Sequence, residues 1–205
     1  MSVRTLFATP FYETRVEDPA LLAGLEQSCR ALAEDDAAGR RWSRKHAYRG
    51  YTSYASLGDL PARDPNIADL VKQLNRHVAR FAEACAFDLG GRKLRLDSLW
   101  VNLLKGGGGH SGHIHPHSVV SGTFYVAVPP GSGALKLEDP RLPMMMAAPV
   151  RKPDAPEELK PFVYAEPAPG SLFLWESWLR HEVVPGKGPA RPGSERISIS
   201  FNYRW

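Results

Sequence analysis

Four of the seven histidines in this 205-residue chain fall within eight positions, in Gly106-Gly107-Gly108-Gly109-His110-Ser111-Gly112-His113-Ile114-His115-Pro116-His117-Ser118. Histidines in loops are often solvated and inert. Here, however, a run rich in β-branched and aromatic residues follows at Val119–Val128, so the cluster stands at the entrance of a strand. His113 and His115 are two apart, and in extended chain residues i and i+2 point to the same face. Two imidazoles on one face can grip one metal ion. His117 would extend the row in a regular strand, but Pro116 and the approaching bend leave that open. A third ligand must come from elsewhere in the chain. His181 is the best candidate, in Ser177-Trp178-Leu179-Arg180-His181-Glu182-Val183-Val184-Pro185, where a turn runs into a short strand. His46 and His77 are weaker choices, His77 because it lies in mid-helix.

The C-terminal segment Ser194-Glu195-Arg196-Ile197-Ser198-Ile199-Ser200-Phe201-Asn202 carries a second kind of chemistry. Ile197, Ile199, Phe201 and Tyr203 alternate with polar residues, which predicts a strand with one face in the core. Arg196 and Ser198 share the other face. A guanidinium turned into a barrel is costly unless it is paired. Its fork of donors suits a carboxylate, and a serine hydroxyl two residues on adds a donor to the row. The pair fits the distal end of a dicarboxylate. An ordinary ion pair with Glu138, Asp139 or Glu195 is the structural alternative.

The elements that must position these residues change character near residue 92. Before it, Leu6–Val16 reads as a strand weakened by Pro10. Asp18-Pro19 and Asp64-Pro65 each start an amphipathic helix, with an acceptor at the N-cap and proline at the first helical position. Leu21, Leu22, Leu25, Cys29 and Leu32 mark the apolar face of the first helix. Ile67, Leu70, Val71, Leu74, Val78, Phe81 and Cys85 mark that of the second, which Gly90-Gly91 is expected to stop. Residues 40–49 hold five Lys/Arg, no acid and Trp42. They read as a solvated loop anchored by its aromatics in preference to a nucleic-acid contact.

Beyond residue 92, strands are expected at Leu94–Leu104, Val119–Val128, Leu135–Leu137, Phe162–Ala165, Ser171–Trp175, Glu182–Val184 and Arg196–Tyr203. Many short strands with turn signals between them predict a mainly β, double-sheet jelly roll, with the N-terminal helices packed on one sheet. A single domain follows: 1–92 as the N-terminal strand and supporting helices, 93–205 as the jelly-roll core. The proline-rich stretch Asp139–Pro161, with Met144, Met145 and Met146, is long enough to be a lid.

Taken together, these features resemble the 2-oxoglutarate- and iron(II)-dependent oxygenases, and more narrowly a bacterial and phage family assigned to that class. The resemblance runs from about Trp100 to Asn202. It rests on Trp100-Val-Asn102, His113-Ile-His115-Pro116, Ser121-Gly-Thr-Phe-Tyr125-Val126, Leu137-Glu-Asp-Pro140-Arg141, Gly170-Ser-Leu-Phe-Leu-Trp175-Glu-Ser-Trp-Leu-Arg-His181 and Glu195-Arg-Ile-Ser-Ile-Ser-Phe-Asn202. It implies a cupin-like double-stranded β-helix, with iron(II) and the cosubstrate 2-oxoglutarate as cofactors. It also implies hydroxylation of a substrate as 2-oxoglutarate is decarboxylated to succinate. His113 and His181 match iron ligands, and Arg196 with Ser198 matches the anchor of the cosubstrate tail. Asn102, Tyr125 and Asn202 sit where the class places further cosubstrate contacts.

One departure stands out: His115 occupies the position where the wider superfamily has an acid. Three neutral imidazoles keep the ligand count and remove a negative charge. Glu138 or Asp139 supplying a carboxylate is the alternative. Trp100, Trp175, Trp178 and the Met144–Met146 stretch are candidates for a dry wall and a lid, with core packing the plainer role for each tryptophan.

Other function classes remain beside this one. Gly107-x5-His113-x-His115 matches the opening of the cupin motif, but Val119 and Val120 stand where its glutamate belongs. Three histidines also make a zinc enzyme with an open position. A non-catalytic jelly-roll binding protein is the third alternative. The substrate, a small molecule or a macromolecule, has no readable code in the pocket walls; nucleic acid is a less favoured partner class.

Composition narrows the field further. Hydrophobic residues make up 43% and charged residues 23%, which is ordinary for a globular protein and excludes a fibre, a coiled coil or a disordered chain. No run of about 18 apolar residues is present, so no membrane partner is expected. A net charge of +4 is too mild to announce nucleic acid by itself. Cys29 and Cys85 read as free thiols, and with no secretory signal they point to the cytoplasm.

Overall fold

Alternation along the C-terminal strand decides where each layer lies. The computed structural model describes residues 2–188, 191 and 193–205. Its elements are β1 (Phe11–Arg15), α1 (Pro19–Asp35), α2 (Ala37–Lys45), β2 (Gly50–Thr52), α3 (Leu60–Arg63), α4 (Pro65–Ala84), β3 (Arg95–Leu104) and β4 (His110–His113). There follow β5 (Val120–Ala127), β6 (Leu135–Glu138), β7 (Phe162–Ala165), β8 (Ser171–Glu176), β9 (His181–Val183) and β10 (Arg196–Arg204). A major sheet has the order β1-β8-β5-β10-β3-β2, and a minor sheet the order β4-β9-β6-β7. Neighbouring strands in both are antiparallel. This is the double-sheet jelly roll with helices on one sheet that the strand pattern predicts. Among the described residues no helix is long and apolar enough to cross a membrane.

Two apolar clusters follow from the period of two. On β10, Ile197, Ile199, Phe201 and Tyr203 join Leu25, Leu70, Leu74 and Phe81 of the helices, with Val101 of β3 and Phe124 of β5. The alternate residues of the same strand turn to the other side, between the sheets. There Tyr125, Leu135, Leu137, Phe173, Trp175 and Val183 form the second cluster. The major sheet is therefore covered on both faces, and only the inner one carries polar groups in a row.

Both helix starts are as the sequence predicts: the Asp18 carboxylate accepts from the Leu21 amide, and Asp64 from that of Ile67, each at 3.0 Å. Three local expectations are corrected. The strand expected over Leu6–Val16 is confined to Phe11–Arg15, because Pro10 has no N–H for a ladder and Phe7, at φ 58°, turns the chain.

The second long helix ends at Ala84, before Gly90-Gly91. Ala86 takes φ 53°, and the amides of Phe87 and Ala86 bond the carbonyls of Ala82 and Glu83 at 3.1 and 2.9 Å. That is a Schellman stop built on alanine instead of the glycine that usually marks it. The segment read as a solvated loop at 40–49 is largely α2. Asp36 ends α1 through its own amide and begins α2 by accepting from the Gly39 amide at 2.8 Å. The Tyr51 hydroxyl donates to the same carboxylate at 2.9 Å, and Ser56 does so as well.

These layers set different costs for two substitutions. Phe201→Ala, which empties a fully buried position between sheet and helices, should cost about 3–5 kcal/mol. Asp64→Ala, which removes one cap, should cost about 1 kcal/mol. Urea unfolding of both variants measures the difference; equal losses would mean that the helices do not depend on the sheet beneath them.

Candidate metal centre and cosubstrate cavity

The two sheets enclose a cavity of about 650 Å³. β10 contributes Arg196, Ser198, Ser200 and Asn202, and β3 contributes Trp100 and Asn102. Tyr125 of β5, Trp175 of β8, His181 of β9 and the β4 segment complete its wall.

His113, His115 and His181 meet in this cavity, each offering a ligand atom within 4.8 Å of the others. Strand pairing brings the distant one in: His113, the last residue of β4, is the register partner of His181, the first residue of β9. Ring centroids of these two lie 4.4 Å apart, and His115 is 5.2 and 5.0 Å from them. The cluster has its own short strand in the minor sheet and is not the entrance of β5. His115 lies beyond that strand, its amide bonded to the Ser177 carbonyl at 3.0 Å. His117 adopts φ 71° and leaves the row, which settles its exclusion. His46 stacks on Trp42 at 4.1 Å, and His77 faces the Tyr12 hydroxyl at 2.9 Å. Neither belongs to the cluster.

All three rings are oriented the same way. The Nδ1 of His181 lies 2.9 Å from the Leu179 carbonyl, that of His113 lies 2.7 Å from the Ser111 carbonyl, and that of His115 lies 2.5 Å from Asn202 Oδ1. Because each acceptor is an oxygen, each Nδ1 carries the proton, and each Nε2 lone pair is left for the cavity. Asn202 is itself held: its amide nitrogen donates to Ser98 Oγ at 2.9 Å, which turns Oδ1 toward His115. Ser121 donates to the same Oδ1 at 2.8 Å and meets Ser177 Oγ at 2.7 Å. Burial pushes the His181 imidazole down to about 3 and also lowers His115, so both are uncharged at neutral pH.

Arg196 lies deeper and is 6% exposed. Its Nη1 donates to the Gly133 carbonyl at 3.1 Å, and its Cζ is 5.5 Å from the Tyr125 ring centroid. Its Nε has no partner among the described residues, nor do Tyr125 Oη and Trp175 Nε1, all three of them buried. The acids that offered an ordinary ion pair are committed elsewhere. Glu138 meets Arg180 at 3.3 Å, Asp139 meets Arg141 at 2.8 Å, and Glu195 meets Arg30 at 3.1 Å. None of the three lines the cavity, so the alternative of Glu138 or Asp139 as a metal ligand finds no support in their placement. A guanidinium does not lose its proton, and buried without a counter-charge it is destabilising. An anion between Arg196 and the histidines would relieve that cost.

Sequence reasoning passes over several cavity residues. The Tyr48 hydroxyl lies 2.8 Å from His110 Nε2 and 3.3 Å from Asn102 Oδ1, and Thr52 Oγ1 donates to the same Oδ1 at 2.9 Å. Asn102 in turn donates to Ser200 Oγ at 3.1 Å. Burial, with Arg196 adding to it, pushes His110 down to about 4. Tyr48 and Thr52 come from a segment without strand periodicity; only the pairing of Gly50 with Leu104 brings them in. His110 could have been found, since it stands in the quoted cluster.

Trp100 and Trp175 line the cavity as expected. Trp178 and the methionines do not. Trp178 donates to Glu176 at the surface, and Met144 and Met146 are 73% and 93% exposed on a segment with 3-10 turns at Leu142–Met144 and Glu157–Leu159.

Comparison with known proteins accords with this geometry. Residues 98–202, just over half of the chain, match a family model described as "Putative 2OG-Fe(II) oxygenase". No curated protein sequence matches. Among solved structures, a prolyl-4-hydroxylase from Pseudomonas putida is 18% identical, with 96% of this chain and 92% of that one covered at a TM-score of 0.61. The non-heme alpha ketoglutarate dependent epimerase SnoN from nogalamycin biosynthesis is 16% identical over 96% and 77%, at 0.63. EctD from S. alaskensis, solved with 2-oxoglutarate and 5-hydroxyectoine, is 16% identical over 96% and 72%, at 0.62. At these identities the likeness is one of fold, and the family match supplies the rest. The chain belongs to the 2OG-Fe(II) oxygenase family and is an enzyme that depends on iron(II) and 2-oxoglutarate.

Proposed function

We propose that His113, His115 and His181 hold the iron(II), and that Arg196 and Ser198 bind the distal carboxylate of 2-oxoglutarate. The observation that carries this reading is the buried Arg196, with no carboxylate partner among the described residues, sharing one cavity with three imidazoles whose Nε2 atoms are free. Iron(II) with 2-oxoglutarate and dioxygen would supply the oxidation of a C–H bond to C–OH, one oxygen atom of O2 going to the substrate and the other to succinate as CO2 is released.

The chain's own residues bind, orient and exclude water. Three neutral imidazoles leave the charge of a dication uncompensated, so an anionic cosubstrate is favoured by the metal and by Arg196 together. Tyr125 Oη, buried and unpartnered beside Arg196, is a further donor to that carboxylate. Asn202 is a positioning residue: it fixes the Nδ1–H form of His115 and so aims Nε2 at the ion. Asn102, bonded to Thr52, Tyr48 and Ser200, holds β2 against the cavity and contributes to the cosubstrate site through those neighbours. Trp100 and Trp175 limit water. We further propose a reducing, cytoplasmic setting, on the ground that both Cys29 and Cys85 are free thiols.

Anaerobic titration with iron(II), then 2-oxoglutarate, should give the visible charge-transfer band of the chelate. His181→Ala should abolish it. Arg196→Ala should leave iron bound and raise the 2-oxoglutarate concentration required by roughly tenfold or more, the worth of a charge-assisted hydrogen bond. Absence of the band with tight zinc binding would move the assignment to a three-histidine zinc or cupin-type enzyme; absence of any metal binding would leave a jelly-roll binding protein.

Asn202→Ala should weaken iron(II) binding by about 10- to 100-fold, as loss of a partner that orients a metal-bound histidine does. Because the change also strands Ser98 and Ser121, the metal-free variant should melt a few degrees lower, and iron affinity is compared at a temperature where both proteins are folded. Unchanged iron affinity would remove Asn202 from its positioning role.

A further inference from the structure

The cavity wall and the helix that supplies Trp42 to it carry two features that iron and 2-oxoglutarate do not use. One is a succession of aromatic rings. Trp42 of α2, Tyr54 and Trp100 all line the cavity, with centroids 6.5 Å apart from Trp42 to Tyr54 and 5.2 Å from Tyr54 to Trp100. Trp100 then lies 5.9 Å from His115. Rings thus lead without a break from a surface helix to the histidine cluster. They are not sealed in the core: Tyr54 is 63% exposed, and Trp42 and Trp100 are half-buried.

The second feature is charge. Arg41, Arg44 and Lys45 sit on the same helix as Trp42, at spacings that place them on one stripe, and all are exposed. None of them forms an ion pair or a side-chain hydrogen bond among the described residues. Arg40, by contrast, is folded back onto the carbonyls of Ala33 and Glu34. The acid nearest in sequence, Asp36, is occupied by the α2 cap, Tyr51 and Ser56. Among the described residues, the one carboxylate lining the cavity, that of Asp97, is already bridged to Arg204 at 3.1 Å. The helix that supplies Trp42 to the cavity therefore carries free positive charge on its exposed face, and among the described residues the cavity lining offers no free negative charge.

We infer that the substrate of this cavity is a single-stranded nucleic acid, its phosphates on Arg41, Arg44 and Lys45 and a base stacked among Trp42, Tyr54 and Trp100. This deepens the oxygenase reading and rests on it for the word substrate; the binding itself does not depend on the metal. An aromatic platform with a basic track is how single strands are held without base pairing. An acidic peptide would use the cations but would leave three rings without partners, and a base locked in a duplex cannot reach them unless it leaves the stack.

The test is fluorescence anisotropy of a labelled DNA or RNA single strand of about 12 nucleotides, with the full chain in EDTA, over a series of salt concentrations. Binding should weaken steeply with salt. The combined variant Arg41→Gln, Arg44→Gln, Lys45→Gln should lower the slope of log affinity against log salt by about 2, as three lost phosphate contacts require. Trp42→Ala should weaken binding roughly tenfold, and Trp42→Phe, which keeps a ring, should restore most of it. Circular dichroism melts establish that the variants fold.

Absence of salt-dependent binding, variants that bind like the parent, or displacement by polyglutamate as effective as by unlabelled strand would each overturn the inference. Because the assay contains no metal, that failure would leave the oxygenase reading standing. Loss of the charge-transfer band, conversely, would leave this result untouched.

Discussion

A permanent positive charge stands inside the jelly roll, and among the described residues no carboxylate meets it. Arg196 cannot deprotonate, is almost wholly buried, and among the described residues has one hydrogen bond, to a backbone carbonyl, where a guanidinium can make five. Stability alone would favour an apolar residue there, since a well-packed hydrophobic core is often as stable as a buried ion pair and better than an unpaired ion. What keeps the charge in place is the architecture around it. β10 is the fourth strand of six, pinned by β5 on one side and β3 on the other. Its outer residues are locked into the helix-facing core. Arg196 cannot turn outward without turning that whole apolar row inward.

The histidine cluster obeys a complementary constraint. It needs three lone pairs aimed at one point, and the chain achieves this by giving each Nδ1 proton an oxygen to bond. Two of those oxygens are backbone carbonyls two residues away from their histidines, so the orientation is local. The third belongs to Asn202, on β10, the strand that also carries Arg196. One strand thus orients a proposed metal ligand at one end of the cavity and places the Arg196 charge toward the other. Burial keeps the His115 and His181 imidazoles neutral, and a dication there would bring an unbalanced charge. The same site therefore favours an anionic partner twice.

The helices have two separate jobs. α1 and α4 supply apolar faces that cover the outside of the major sheet, and nothing in their sequence reaches the site. α2 is different: short and strongly basic, it presents Trp42 to the cavity entrance. It exists because Asp36 ends one helix and caps the next, a double use of one residue that no period of hydrophobicity reveals.

The sequence by itself determined what repeats at short range. Alternation along β10, the proline-marked caps at Asp18 and Asp64, and the i, i+2 spacing of His113 and His115 are each encoded within a few residues. The corresponding structure is local enough to be read there. Only the tertiary structure decided what depends on register between distant strands. It set His181 opposite His113, turned Asn202 onto His115, drew Tyr48 and Thr52 in through the pairing of β2 with β3, and committed Glu138, Asp139 and Glu195 to other arginines. It also moved the methionines and Trp178 out of the wall and ended α4 on a left-handed alanine. The physical reason is the same throughout. Hydrogen bonds and ion pairs between strands are chosen by which backbones the sheet places side by side, and that choice is made by the packing of the whole chain.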